Sequence, residues 1–517
     1  MWKKQRTTNI TSTFKVTGAT MSECNSFNLR FLLSICGVAA IGGLLFGYDT
    51  AVISGAINPI TEYFDLSPAG TGWAVSNVAI GCILGALISG QMASRFGRKL
   101  TLMIAALLFT VSALGAAVVD SFLWFVIYRM IGGVAVGVAS AVSPMYMSEV
   151  SPSALRGRTI GMQNFAIVFG QVVIFIINFL IAKGTSQAWL VDMGWRVMIG
   201  SEVIPCLLFC LVSLLIPESP RWLVMKNRDA EARATLCKIG GHAYADRCIQ
   251  DIRASLSAER LSRQRATEDH LLRSRRFWII TGIAAGVAVL QQLSGVNIMM
   301  YFAPMVLERV TGDNESAMFM TIWIGVVQLI GTGIGAFLMD RVGRVPLLKI
   351  GAVGAAVGLS ITSYYIYAAK GLSGEAAITA GYLTLSGMLL FMIFFAISWA
   401  LGAWIVISEV FPNHMRSYGM SMAVTAMWIS NFLIGQLFPI LLDNAWLQEH
   451  FNGAFPMWIF VACMFVAFFF VSRYLPETKG VELENMEEHM LSRVNTPSHH
   501  PDSETVSSKK SRSLAAD

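Results

Sequence analysis

Long apolar runs separated by short polar stretches organise this 517-residue chain. A helix that crosses a bilayer needs about 20 mostly apolar residues. Twelve runs reach that length: 31–57, 71–93, 100–119, 122–147, 159–182, 195–216, 278–308, 316–338, 346–368, 376–408, 419–442 and 454–474. Several exceed it, which predicts tilted or kinked spans. Pro144, Pro205 and Pro304 are the expected kink positions, because proline removes a helical hydrogen bond and crowds the preceding turn. The expected fold class is therefore an all-α polytopic membrane protein.

Loop charge gives the expected orientation, since basic residues stay on the cytoplasmic side. Arg95, Arg98 and Lys99 follow the second run, Arg156 and Arg158 the fourth, and Arg341 and Arg344 the eighth. The segment 218–276 holds 13 Lys and Arg, whereas Ile57 to Gly70 has Glu62 and Asp65 and no basic residue. Both termini and the 218–276 segment are expected in the cytoplasm. The chain divides into a tail (1–30), a six-span bundle (31–216), a helical linker (217–276), a second six-span bundle (277–475) and a largely disordered tail (476–517). Within the linker, Asp229–Ile239 and Arg247–Leu256 read as short amphipathic helices.

The two bundles are an internal repeat. Ser148-Glu149-Val150-Ser-Pro152, followed by Arg156, matches Ser408-Glu409-Val410-Phe-Pro412, followed by Arg416. Pro217-Glu218-Ser219 matches Pro476-Glu477-Thr478, and Arg95-Phe-Gly97-Arg98 matches Arg341-Val-Gly343-Arg344. The first-half motif has Ser94 where Asp340 stands in the second, one carboxylate fewer. Parallel six-span repeats predict a binding site between the halves, near the middle of the membrane.

Composition agrees with this plan. The chain is 55% hydrophobic and 14% charged, against about 25% charged in soluble domains. Its 45 glycines suit closely packed spans. The net charge of +6 resides in the loops and gives no reason to expect nucleic acid as a partner. The eight cysteines include no Cys-x-x-Cys pair and read as small apolar fillers, not as a disulfide or metal framework. The polar first 30 residues lack the apolar core of a signal peptide.

Against this apolar background the ionisable residues stand out. Asp49 is the only acidic residue between Phe31 and Ile60. With spans one, four and six oriented as above, Asp49, Arg129 and Glu202 all lie seven or eight residues from the outer surface. That is roughly 10–12 Å deep at 1.5 Å per residue. A charge at this depth is expensive unless a partner compensates it. The trio is expected to cluster, and a carboxylate whose cation partner comes and goes can load and release a proton. Span seven carries Gln291, Gln292 and Asn297, then Tyr301. Amides at midplane need a wet cavity, and they offer both donors and acceptors to a polyhydroxylated ligand. Trp404 and Trp428 supply flat apolar faces for the C–H side of a ring.

These motifs in combination resemble the sugar porter family of the major facilitator superfamily, over about Arg30 to Glu484. The carriers are Arg95-Phe-Gly-Arg-Lys99, the two Ser-Glu-Val-x-Pro boxes, Pro217-Glu-Ser-Pro-Arg221, Gln291-Gln292-Leu-Ser-Gly-Val-Asn297 and Pro476-Glu-Thr-Lys-Gly480. Gly47-Tyr-Asp-Thr-Ala-Val-Ile-Ser-Gly55 and Phe165-Ala-Ile-Val-Phe-Gly-Gln171 are similar to the bacterial proton symporters for myo-inositol and D-xylose. The stretches Thr321–Gly325, Gly402–Val406 and Phe455–Phe460 resemble the inositol members more.

The resemblance implies two six-helix bundles of the major facilitator fold. It also implies that Asp49 accepts the proton, that Arg129 couples it to gating, and that the span-seven amides hold the hydroxyls. The full substrate-binding set is Phe46, Gln163, Asn164, Gln171, Gln291, Gln292, Asn297, Tyr301, Trp404, Trp428 and Asn431. Three positions depart from the xylose-porter pattern: its span-five Gln is Asn164, with Gln163 beside it, its span-eleven Gln is Met427, and its span-ten Gly-Pro is Ala400-Leu401. Phe302 also replaces a second Tyr after Tyr301. These changes favour a cyclic polyol over xylose.

Arg95, Arg98, Glu149, Arg156, Glu218, Arg341, Arg344, Glu409, Arg416 and Glu477 are expected to form inter-span ion pairs that close a cytoplasmic gate in the outward-facing state. The expected function is proton-coupled import of a small polyhydroxylated solute, myo-inositol by preference, by a monomer in a bacterial inner membrane. No cofactor beyond the proton gradient is expected. An aldose symporter is the nearest rival. A non-transporting sugar sensor would want longer tails with interaction motifs, and a drug exporter would want an aromatic cavity without amides. No acid/base pair, nucleophile or phosphate loop suggests an enzyme.

Overall fold

The computed structural model describes residues 27–265, 274–411 and 415–479, together with Met486 and Met490. Most of both tails, Pro412 and Gly480 lie outside the described residues, as does the side chain of Asp340. The described residues contain helices and no strand. Among the described residues twelve helical stretches are long and apolar enough to cross a membrane: Leu29–Tyr63, Pro68–Phe96, Arg98–Val118, Phe122–Val150, Arg156–Ala182, Gln187–Ser213, Arg275–Tyr301, Asn314–Met339, Arg344–Ala368, Glu375–Glu409, Tyr418–Leu442 and Phe455–Tyr474. They are called spans one to twelve below.

The repeat is visible in the packing. Span one packs on five, two on four and three on four, and the same pairings recur six spans later as seven on eleven, eight on ten and nine on ten. The halves meet where span two lies on eleven and span five on eight. Large apolar side chains such as Leu123, Ile204, Leu215 and Phe469 face outward. In water such a surface would drive association; around a bundle of spans it is the surface a bilayer covers.

Three spans are interrupted where the site forms. Span six breaks at Ser201–Glu202, four residues before Pro205, whose ring cannot follow a normal helical carbonyl. Span seven stops at Gln292, resumes at Val296 after Gly295 in the left-handed region (φ 86°), and breaks again at Phe302, just before Pro304. Span ten breaks at Ser398. Pro144 produces no interruption, and its helix is continuous from Phe122 to Val150. The two expected linker helices lie within Asp229–Arg265, separated by a non-helical kink at Gly241 (φ 80°), and a short helix, Pro220–Met225, precedes them.

Backbones approach closely at glycine. A Cβ added to Gly47 in span one would lie 1.8 Å from the Ile167 carbonyl oxygen of span five. One added to Gly170 would lie 2.2 Å from the Leu44 carbonyl oxygen in return. Gly47→Ala should therefore pry these spans apart and lower the thermal midpoint in detergent by several degrees. Gly90→Ala, with open space at its Cβ, should leave the midpoint within a degree or so; equal effects from the two would show that the contact does not hold the bundle.

Candidate functional site

The intramembrane charges come together as their depths predict. Arg129 of span four donates to Asp49 Oδ1 of span one at 2.6 Å, and a second guanidinium nitrogen reaches the Asp49 carbonyl at 3.3 Å. The Glu202 carboxyl, at the span-six break, faces that of Asp49, and Asp49 Oδ2 and Glu202 Oε1 have no hydrogen-bond partner. All three side chains are buried, at 0%, 2% and 1% exposure for Asp49, Arg129 and Glu202. The Tyr48 hydroxyl shares a 2.7 Å hydrogen bond with Ser201, which fixes span one against the broken turn. Gly132 clears the approach, since a Cβ there would meet Ser112 Oγ at 2.5 Å and Asp49 Oδ1 at 3.4 Å.

Between the halves lies a cavity of about 460 Å³. All eleven residues of the expected substrate set line it, as do the departure positions Ala400, Leu401 and Met427. Within the span-seven cluster, Gln292 donates to Gln291 at 3.3 Å, Asn297 donates to Gln292, and Gln291 donates to the Trp399 carbonyl at 3.2 Å. The tryptophan rings stand at opposite ends: Trp404 is 40% exposed at the mouth and Trp428 is 6% exposed at the floor. Tyr301 lies beside Asn431. A fissure of about 10 Å³, with room for one water at most, runs between these floor residues and Arg129.

The sequence reading missed Thr50, Ser140, Gln328 and Thr332, which also line the cavity. Gln328 was within reach of the rule that singled out Gln291, since it is the single amide in run 316–338. Thr50 and Thr332 carried no such signal: each hydroxyl bonds its own helix backbone, as threonines of apolar helices commonly do.

The cavity is sealed at the end away from the linker. There Asn58 donates to Glu308, Ser76 to Gln436 at 3.0 Å, and Gln436 to the Ala69 carbonyl at 2.8 Å, each bond crossing from one half to the other. The linker end carries the repeated rim motifs. Arg98 pairs with Glu149 at 2.7 Å and Arg344 with Glu409 at 2.9 Å. Glu218 accepts the backbone N–H groups of Arg98 and Lys99, and Glu477 those of Arg344 and Val345. Each of these bonds stays within one half. Glu218 and Glu477 act as caps for the positive N-terminal ends of spans three and nine. Gly97 and Gly343, at φ 93° and 100°, give their carboxylates room. Arg95 and Arg341 lie over the rings of Phe96 and Phe337, while Arg156 and Arg416 bond the carbonyls of Ser148 and Phe411.

Known proteins resemble this chain. Residues 35–490 match the model of the family described as sugar (and other) transporter. The chain belongs to that family. It is 37% identical over 489 residues to a D-xylose-proton symporter of Escherichia coli (strain K12), covering 89% of this chain and 96% of the relative. It is 33% identical over 463 residues to the major myo-inositol transporter of Bacillus subtilis (strain 168), covering 89% and 94%. A solved structure of the E. coli xylose transporter, described as partially occluded and inward open, superposes with a TM-score of 0.76 at 34% identity, covering 88% of this chain and all of that one. This family member therefore has the major facilitator fold and is a multi-pass membrane protein.

The bond between Asn58 and Glu308 can be isolated by a double-mutant cycle. Asn58→Ala and Glu308→Ala should each widen the sealed end, read as a longer distance between spin labels at Lys183→Cys and Leu372→Cys. The double variant should widen it no further than the singles; additive widening would show that the two residues act separately.

Proposed function

We propose that the protein is a proton-coupled symporter that imports a small cyclic polyol, myo-inositol by preference, by alternating access. The observation that carries this reading is a buried acid–base trio joined by a narrow fissure to an amide-lined cavity that opens at one end only.

The trio holds two carboxyls against one guanidinium where water does not reach. Two charged carboxylates would leave a net negative charge in a medium that tolerates it poorly. One bound proton neutralises the group and lets the carboxyls of Asp49 and Glu202 bond each other. Loss of that proton returns Asp49 to full pairing with Arg129. Arg129 borders the fissure that Tyr301, Trp428 and Asn431 also line. A shift of the guanidinium between its two pairing states therefore presses on the cavity floor, which links proton and substrate occupancy. In the cavity, Gln291, Gln292 and Asn297 present amide donors and acceptors, and Trp404 and Trp428 cover apolar ring faces.

The rim bonds hold each half together, so the halves move as units. On this reading, gating is the exchange of half-to-half contacts at one end for contacts at the other, a shift between two packed states. On this reading the sealed end faces outward and the linker the cytoplasm of a bacterial cell, as the basic rim supports, with both termini cytoplasmic and a monomer as the working unit. The shortened Asn164, apolar Met427 and Ala400-Leu401 support a cyclitol over xylose. The higher identity to the xylose symporter favours the second reading, an aldose–proton symporter.

Unlabelled sugars and cyclitols competing against labelled myo-inositol in proteoliposomes decide the substrate. Cyclitols should compete; competition by xylose or glucose alone would refute the inositol assignment. Asp49→Asn should abolish uphill accumulation while substrate exchange persists, and full accumulation by that variant would remove the proton role.

A further inference from the structure

Among the cavity amides Gln291, Gln292 and Asn297 are bonded, Gln171 and Gln328 each keep an unbonded Oε1, and Gln163 is unbonded at both ends. Its side chain is 4% exposed on the cavity wall, and neither Nε2 nor Oε1 has a hydrogen-bond partner. An amide buried with both ends unbonded is costly, and the free protein gains nothing from it. The side chain rests against Gly43 of span one, where an added Cβ would lie 2.8 Å from both Cδ and Nε2 of Gln163. Glycine at position 43 thus makes the seat in which this amide lies.

Helix geometry sets where the amide points. Asn164 and Gln171 are seven residues apart and so share one stripe of span five, while Gln163 is turned about 100° from Asn164. The long amide therefore sits on the flank of the cavity next to span one, and the shorter one occupies the central stripe. The Gln291–Asn297 cluster belongs to the other half. A ligand that satisfies both must present hydroxyls on two opposite edges.

We propose that Gln163, seated on Gly43, is the residue through which this cavity selects cyclic polyols over aldoses. An amide that has lost both partners is completed by a vicinal diol: one hydroxyl donates to Oε1, and its neighbour accepts from Nε2. Every ring carbon of a cyclitol carries a hydroxyl, so a diol faces Gln163 while another edge faces span seven. An aldopentose in its pyranose form interrupts that ring of hydroxyls with an ether oxygen and a methylene. It cannot serve both edges equally. This inference rests on the transport reading and adds the selecting residue to it.

Gln163→Met tests the proposal, because it keeps length and removes both polar atoms. Purified full-length protein is measured for ligand-free thermal midpoint and for binding of myo-inositol and D-xylose. The variant should melt a few degrees higher, because an unsatisfied amide is gone. It should lose about tenfold in myo-inositol affinity and less than about threefold in D-xylose affinity. Gly43→Ala, whose Cβ would push both the amide and, at 2.9 Å, the backbone oxygen of Gln163, should show the same selective loss with a lower melting point of its own. Equal losses for both ligands, or unchanged myo-inositol affinity with a lower melting point, would overturn the proposal and make Gln163 a packing residue. Failure of the unmodified protein to bind either compound would overturn the transport reading as well, and that outcome is read before any variant is compared.

Discussion

Two carboxyls and one guanidinium meet inside this bundle at a depth that bulk water does not reach, and much of the surrounding architecture follows from that contact. Arg129 must leave span four, cross to span one and still satisfy its charge, which it does on both the carboxylate and the carbonyl of Asp49. Glu202 can join them because span six is broken at that turn. The Gly132 position, bare of a side chain, and the Tyr48–Ser201 bond hold the three spans at the spacing the charges need. An apolar bundle accepts such a group only when its members are held together.

The same economy of polar groups explains the rest of the site. In a bilayer, backbone and side-chain polar groups find partners within the protein or face a wet cavity. Span seven is interrupted twice and span ten once, and these interruptions border the cavity in which the amides sit. The rim motifs show the complementary solution. The N-terminal N–H groups of spans three and nine take the carboxylates of Glu218 and Glu477, and the adjacent Arg–Glu pairs close the ring of bonds within each half. In this conformation these rim bonds brace each half from within. Half-to-half hydrogen bonding lies at the other end, through Asn58, Glu308, Ser76 and Gln436.

Much of this was legible in the residues. Run length and loop charge marked out twelve spans and a basic linker. The repeated boxes announced two related halves, which the recurring span pairings display. The depth argument placed Asp49, Arg129 and Glu202 together because a helix has a fixed rise and an unpaired charge in a membrane has a large penalty. The amides of span seven stood out for a similar reason. Gln328 obeyed the same rule and was passed over because it stands alone in its span.

The sequence by itself determined the span count, the six-plus-six repeat and the depth of the charged groups, since these depend on residue type and on rise along a helix. Only the tertiary structure decided which helix faces meet. It turned the rim carboxylates onto backbone N–H groups of their own half, because side-chain partners depend on helix rotation, which spacing alone leaves free. It carried the helix straight through Pro144 and broke spans six and seven near Pro205 and Pro304, because the neighbours of each proline decide whether a lost hydrogen bond becomes a gap. It also laid the Gln163 amide, unbonded, on Gly43 at the edge of the cavity.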